Sequence, residues 1–304
     1  MVDDKMHDDE VDIDSKLVRR LLTNQFPKWS KLPLAPVLSA GTDNALYRLG
    51  DDLCVRLPRI DWAAGQAQKE MRWLPFLAPH LPLEIPVPRA VGEPEDDYPW
   101  HWGVYEWLDG HNATIDRLTD KQQAAIDMAE FIRAMWTIDT IDGPRAEANS
   151  ARGVPLALRE DMTRAAIFSC QGMIDTHAVN VAWKIALDAP AWDAEPVWLH
   201  GDIQSGNLLA QDGELTAVID FGAMGIGDPA CDLMVAWNLF TAPMRWTFRQ
   251  AIDVDDVTWV RGRGWALSVA LVALPYYRTT NPVLADISRY AIDQVLADVE
   301  RERG

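Results

Sequence analysis

The chain has 304 residues, 48% of them apolar, enough to bury a large core in one two-lobed enzyme or two modest domains. Its formal charge of −18, from 28 basic and 46 acidic residues, disfavours nucleic acid and anionic membranes as partners. No run of 18 apolar residues occurs, the acidic N-terminus lacks a signal-peptide core, and Cys54, Cys170 and Cys231 are too scattered for a metal pair. A soluble protein of the reducing cytoplasm, with no membrane span, is expected.

Residues 1–14 hold seven acids and one Lys and are expected to fray. Ser15 is placed to cap an amphipathic helix over 16–26, with Leu17, Val18, Leu21 and Leu22 on one face and Pro27 as its stop. Strands are expected over 34–38, 45–49 and 53–57, joined by turns at Gly41-Thr42-Asp43-Asn44 and Gly50-Asp51-Asp52. Asp61 is placed to cap a helix over 62–78, and two strands, 87–91 and 102–108, follow a segment broken by prolines. Beyond residue 109 the pattern turns helical. Thr119-x-x-Gln122 reads as a capping box for a helix over 120–138, with Ala125, Met128, Ala129, Ile132, Met135 and Trp136 on its inner face. Residues 139–156 are irregular, 157–188 read as a helical pair, and helices near 244–252, 256–274 and 283–302 complete the chain.

The densest polar signal runs over 198–233. Phosphoryl transfer to an alcohol needs a carboxylate to orient the hydroxyl and oxygen ligands for Mg²⁺. His200-Gly201-Asp202, with Asn207 five positions after the Asp, puts a candidate base and a candidate metal ligand on one loop. Ile219-Asp220-Phe221-Gly222 supplies a second ligand, Asp220. Asp212-Gly213 marks a hairpin turn between apolar runs, so Asn207 and Asp220 are expected at opposite ends of one hairpin, converging on one ion. Each piece alone is a common surface feature. In register they point to phosphoryl transfer, with a metal-dependent hydrolase as the alternative use of the same groups.

With Gly227-Asp228-Pro229-Ala230 and Asp232-Leu233 added, these motifs resemble the aminoglycoside phosphotransferase family, in the choline-kinase-like branch of the protein-kinase-like fold. The resemblance is dense over 198–233 and looser over about 34–110 and the C-terminal helices. It implies a bilobal α+β fold. Residues 1–108 would form a nucleotide-binding lobe, an antiparallel sheet with a packed helix; residues 109–304 would form a larger, mainly helical lobe for catalysis and acceptor binding. It implies ATP, with GTP as the alternative, and Mg²⁺ as cofactors. Asp202 would be the catalytic base, and Asn207 and Asp220 the metal ligands.

The resemblance also places Arg56 on the nucleotide phosphates, where relatives carry Lys. An arginine fork is not equivalent to an ammonium, which keeps open a pseudokinase binding module. Glu70 would pair with Arg56, or be a solvated helix residue between Lys69 and Arg72. Asn44 and the turn before it would approach the phosphates, or form an ordinary hairpin turn. Glu106 to Leu108 would present hinge backbone to the purine, with Tyr105 as a gate or a core aromatic. Asp232 would brace the catalytic loop, and His200 would be a brace rather than a base. Gly201, where regulated protein kinases carry Arg, and a spacer of only eight residues between Asp220 and Pro229 imply a constitutively active small-molecule kinase.

The acceptor would be a hydroxylated small molecule: an aminoglycoside or other antibiotic, or a choline-like or sugar-like metabolite. The acidic balance favours a cationic one. Arg159, Glu160 and Asp161 are candidates for substrate contact, or form a solvated helix start. Arg261 and Arg263 would face an anionic part of the substrate or, the favoured reading, form ion pairs. No feature of the sequence specifies an oligomeric state.

Overall fold

The computed structural model describes residues 10–37, 43–146 and 151–303. Gly41 and Thr42 of the first expected turn lie outside them. The chain falls into two compact units. One comprises the residues up to Pro79 with Glu84–Gly110 and Ala217–Gly222; the other comprises His80–Leu83, His111–Thr216 and the chain from Ala223 onward.

The first unit opens with α1, Ser15–Gln25. Its cap is Asp14, not Ser15: the Asp14 carboxylate accepts from the backbone N–H groups of Lys16 and Leu17 at 3.0 and 2.8 Å. Five antiparallel strands follow: β1, Leu34–Pro36; β2, Asn44–Leu49; β3, Leu53–Pro58; β4, Pro88–Gly92; and β5, Trp102–Glu106. Their order in the sheet is β1-β2-β3-β5-β4. Between β3 and β4 lies α2, Gln66–Leu77. It begins later than the position of Asp61 suggests, because Asp61–Ala63 closes a separate 3-10 turn and Gly65, at φ 83°, redirects the chain. Val18, Leu21 and Leu22 of α1 pack with Leu49, Val55, Leu57, Trp102 and Val104 of the sheet. Residues 10–14 are not frayed. The Val11 N–H donates to the Arg59 carbonyl, Val11 and Ile13 pack on the same core, and Glu10 pairs with Arg59 at 3.3 Å.

The second unit contains β6, His111–Asn112, and α3, Lys121–Thr137. Asp120 caps α3 through the N–H groups of Gln122 and Gln123, in place of the expected capping box. After an irregular stretch come α4, Glu160–Ser169, and α5, Thr176–Asp188. Next are β7, Val197–Leu199; β8, Leu208–Gln211; β9, Glu214–Val218, which carries the chain into the first unit; and β10, Gly225–Gly227. The unit ends with α6, Val235–Asn238; α7, Ala242–Ile252; α8, Asp256–Tyr277; and α9, Pro282–Arg303. α8 is apolar nearly all round because it packs against α4, α5 and α9. Its two central arginines form ion pairs, Arg261 with Asp228 at 2.8 Å and Arg263 with Glu302 at 2.7 Å. Among the described residues, no helix is long and apolar enough to cross a membrane.

Candidate active site

The loop that carries His200, Gly201 and Asp202 belongs to the second unit. β7 delivers it, held by antiparallel pairing with β10. Gly201 then turns the chain at φ 83°. A Cβ there would stand 2.5 Å from the Ala223 carbonyl oxygen and 3.1 Å from Arg152 Cβ, so no arginine fits at this position. Asp232, fully buried, accepts from the N–H groups of His200 and Gly201 at 2.8 and 2.7 Å. Burial pushes its carboxyl above the usual carboxylate range, and the neighbouring His200 ring and the two N–H donors oppose that push. His200 is also buried, and its Nδ1 accepts from the Asp202 N–H at 3.1 Å. Both residues therefore stand as braces of the loop.

The Asp202 side chain remains 29% exposed. Its Oδ2 accepts from Asn207 Nδ2 at 3.0 Å and from Gln204 Nε2 at 3.3 Å. Asn207 Nδ2 donates in addition to the Asp202 carbonyl at 2.8 Å. These two bonds fix the amide orientation. Asn207 Oδ1 accepts no hydrogen bond among the described residues and is left as an open oxygen. Arg152 approaches from the loop before α4, with its Nη2 3.6 Å from Asp202 Oδ1.

A second cluster lies in the first unit, around Arg56 on β3. Arg56 Nη1 donates to Glu70 Oε1 at 2.6 Å; Nη2 donates to Asp220 Oδ1 at 2.5 Å and to Gln66 Oε1 at 3.1 Å. The Asn44 amide oxygen faces the same guanidinium, 3.0 Å from Nη2 and 3.2 Å from Nε, in the orientation that matches donors to acceptors. Burial opposes the charge of Arg56, but Asp220 and then Glu70 outweigh it and hold the pKa above the ordinary arginine value. Glu70 is 1% exposed, so it is no solvated helix residue. Its other oxygen takes the Tyr105 hydroxyl at 2.5 Å, which fixes Tyr105 as a buried prop of this pair. Gly103 is bare because the Tyr105 ring occupies the place of its Cβ. Asp220 has a left-handed backbone, φ 63°, an uncommon state for a residue with a side chain. Its carboxylate is 43% exposed.

The hinge residues are engaged unequally. The Glu106 N–H donates to the Val87 carbonyl, its carboxylate pairs with Arg89, and the Trp107 N–H goes to Asp52. The backbone groups of Leu108 take no hydrogen bond among the described residues. Asp212 and Gly213, at φ 53° and 90°, form the expected turn between β8 and β9, so Asn207 precedes the hairpin and Asp220 follows it.

No group of three or more His, Cys, Asp or Glu side chains suited to a metal occurs among the described residues. Mg²⁺ does not require one, since it is usually held by one or two carboxylates together with water and substrate phosphates. Each unit has a hard oxygen of the kind it takes: Asn207 Oδ1 in the second is open, and the Asp220 carboxylate in the first is 43% exposed.

Residues 35–265 match the model of the phosphotransferase enzyme family. The chain belongs to that family. An aminoglycoside 3'-phosphotransferase of Escherichia coli is 25% identical over 181 residues, which cover 58% of this chain and 64% of that protein. One of Salmonella typhimurium is 24% identical over the same shares. The matched stretch thus spans just under two thirds of these curated relatives. Among solved structures, the GDP complex of wild-type aminoglycoside 2'-phosphotransferase-IIIa has a TM-score of 0.68 at 16% identity, covering 94% of this chain and 99% of that one. The streptomycin–ATP complex of APH(2")-IIa has a TM-score of 0.60 at 18% identity, covering 86% and 90%. The macrolide 2'-phosphotransferase of Brachybacterium faecium has a TM-score of 0.58 at 20% identity, covering 91% and 97%. At these identities the likeness is one of fold, the bilobal kinase-like α+β architecture expected from the motifs.

Two polar neighbours of the candidate residues, one in each unit, escape a reading of motifs. Gln66 sits one turn before Glu70 on α2, a spacing that puts both on one helix face. Arg152 lies in an irregular segment with no periodicity to announce it.

Proposed function

We propose that this phosphotransferase moves the terminal phosphoryl group of ATP, or of GTP, to a hydroxyl of a small molecule. Asp202 orients the hydroxyl and accepts its proton late in the transfer. The acceptor oxygen forms the new bond to phosphorus, the bond to the bridging oxygen of the nucleotide breaks, and the proton passes to the Asp202 carboxylate. The observation that carries this reading is the loop itself: Asp202 is exposed enough to meet a substrate, while buried Asp232 clamps the backbone that presents it.

Nucleotide binding is assigned to the first unit. Arg56 there faces the phosphates, Glu70 and Asn44 orient its guanidinium, and Glu106 and Leu108 lie at the hinge, of which Leu108 keeps free backbone groups for the purine edge. Mg²⁺, when bound, neutralises charge on the phosphate oxygens; Asn207 Oδ1 and the Asp220 carboxylate are the ligands this chain offers it. Residues 1–108 and 109–304 are read as the nucleotide lobe and the catalytic, acceptor-binding lobe. The buried free cysteines suit a reducing cytoplasm.

The similar proteins carry aminoglycoside and macrolide names, which supports an antibiotic-like acceptor and a role in resistance. A metabolite acceptor is the second reading, favoured by the cation that Arg152 places beside Asp202. ATP and GTP turnover over a panel of antibiotics and alcohols separates the two. In the same assay Asp202→Ala should keep nucleotide affinity within a few-fold and lower kcat by about 10²–10⁴. Wild-type transfer by that variant would sink the assignment.

A further inference from the structure

Helix α2 meets the Asp220–Gly222 segment through a residue that the transfer step does not use. Lys69 Nζ donates to the Gly222 carbonyl at 2.5 Å. Both residues lie in the first unit, as do Arg56, Gln66, Glu70 and Asp220. Gln66, Lys69 and Glu70 share one face of α2 by their spacing. Glu70 and Gln66 accept from Arg56 at 2.6 and 3.1 Å, and Asp220 accepts from the same guanidinium at 2.5 Å. Lys69 closes this circuit two residues further along the chain from Asp220. Gly222 is bare because Gln66 fills the space beside it: a Cβ there would stand 2.8 Å from the Gln66 amide nitrogen. Between the two anchors, Phe221 is fully buried and Asp220 keeps φ 63°, a left-handed state that a residue with a side chain holds only where its surroundings enforce it. Burial, opposed by Glu70, lowers the Lys69 pKa to about 8. An unbranched apolar side chain would fill the place without burying a charge, so packing alone does not account for a lysine here.

We propose that Lys69 is a positioning residue: its bond to Gly222 ties α2 to the Asp220–Gly222 segment and fixes where the Asp220 carboxylate points. The inference rests on Asp220 being a ligand of the Mg²⁺ that accompanies the nucleotide. In protein kinases the pair of a strand cation and a helix glutamate must be in place together with the metal-binding acid. Here one helix face carries both Glu70, which sets Arg56, and Lys69, which sets the segment of Asp220, so a single rigid element organises the two. When phosphate oxygens engage Arg56, Asp220 gives up its contact with that guanidinium. The Lys69 bond is then the polar anchor that still holds the segment to α2.

The test compares nucleotide binding with and without the metal. The affinity of a non-hydrolysable ATP analogue is titrated in Mg²⁺ and in EDTA for wild type, Lys69→Met and Lys69→Arg. Amide hydrogen exchange is followed over residues 217–222 in the nucleotide-free proteins. Lys69→Met keeps an unbranched stem and removes a buried charge, so it should fold. It should lose about tenfold of the gain in affinity that Mg²⁺ gives the wild type, with affinity in EDTA within about twofold. Exchange over 217–222 should quicken about tenfold while the rest of the first unit is unchanged. Lys69→Arg, which keeps a charged donor, should recover part of both losses. An unchanged exchange rate overturns the proposal. So does faster exchange with the Mg²⁺ gain intact, which would leave Lys69 a purely structural hold. An equal loss of affinity in Mg²⁺ and in EDTA also overturns it, because that would put the Lys69 ammonium on the phosphates themselves. If Mg²⁺ gives the wild type no gain, the reading of Asp220 as a metal ligand fails, and the exchange rates alone decide the clamp: faster in Lys69→Met supports it, unchanged overturns it.

Discussion

Glu70 shows how much one buried carboxylate settles. It receives Arg56 at 2.6 Å and the Tyr105 hydroxyl at 2.5 Å, and is 1% exposed. Arg56 also meets Asp220, but that carboxylate is 43% exposed and solvent weakens the contact. Glu70→Ala would therefore leave a buried guanidinium and a buried phenol short of an acceptor. A loss of about 3–5 kcal/mol in urea unfolding is expected, with a raised KM for nucleotide. A loss under about 1 kcal/mol would mean that Gln66 and Asp220 suffice to hold Arg56. The neighbouring Lys69 makes the opposite case. Its ammonium donates to the Gly222 carbonyl at 2.5 Å, and burial, opposed by Glu70, lowers its pKa from 10.5 to about 8. The folded state thus holds fewer protons than the unfolded chain between about pH 8 and 10.5. Stability should climb with pH through that window, and the full penalty applies below it. The shift corresponds to about 3 kcal/mol, of which the hydrogen bond to Gly222 returns about 1. Lys69→Met should then gain about 2 kcal/mol at pH 7 and remove the rise above pH 8. Parallel stability-against-pH curves for variant and wild type would refute that origin of the shift.

Among the elements, the proposed catalytic loop around Asp202 is the most tightly prescribed. Gly201 must adopt φ 83°, and the Ala223 carbonyl occupies the space a side chain would need. Gly201→Ala should cost about 2 kcal/mol and lower kcat about tenfold or more, since the peptide that Asp232 clamps would have to move. Unchanged kcat with unchanged stability would show that the loop yields freely. Much of this element was legible in the sequence. Asp202, Asn207, Asp220 and Asp232 announce themselves by spacing along one continuous segment, and Asp212-Gly213 carries its turn chemistry locally. Helix starts were less legible. Asp14 and Ser15 are adjacent, as are Thr119 and Asp120, and either member of each pair can cap. The entry angle of the chain chooses between them, and that angle is a tertiary property. The pairing of Arg56 with Glu70 could be read from position, whereas the Nη1 of Arg152, buried with no hydrogen-bond partner among the described residues, could not, because a missing partner leaves no mark in a one-dimensional pattern.

For the whole molecule, the charge of −18 suggested a cationic partner, yet the guanidinium of Arg152 stands 3.6 Å from Asp202. The two scales need not agree. Exposed charges are screened beyond roughly 8–10 Å at ordinary ionic strength, so a ligand in a pocket responds to its neighbours more than to the total. The total charge should govern stability instead. Excess negative charge repels itself in the folded state, and salt relieves that repulsion. Salt also weakens exposed ion pairs such as Arg20 with Glu95 and Lys184 with Asp188. Each such pair contributes only about 0–1 kcal/mol, and the major buried pairs, Arg56–Glu70 and Arg261–Asp228, are shielded from salt. Repulsion should therefore dominate. Raising NaCl from about 20 to about 300 mM should raise Tm by about 3 °C, with most of the gain complete by about 150 mM, where the Debye length has fallen to about 8 Å. A Tm that falls with salt over this range would mean that the exposed pairs, taken together, outweigh the excess of 18 negative charges.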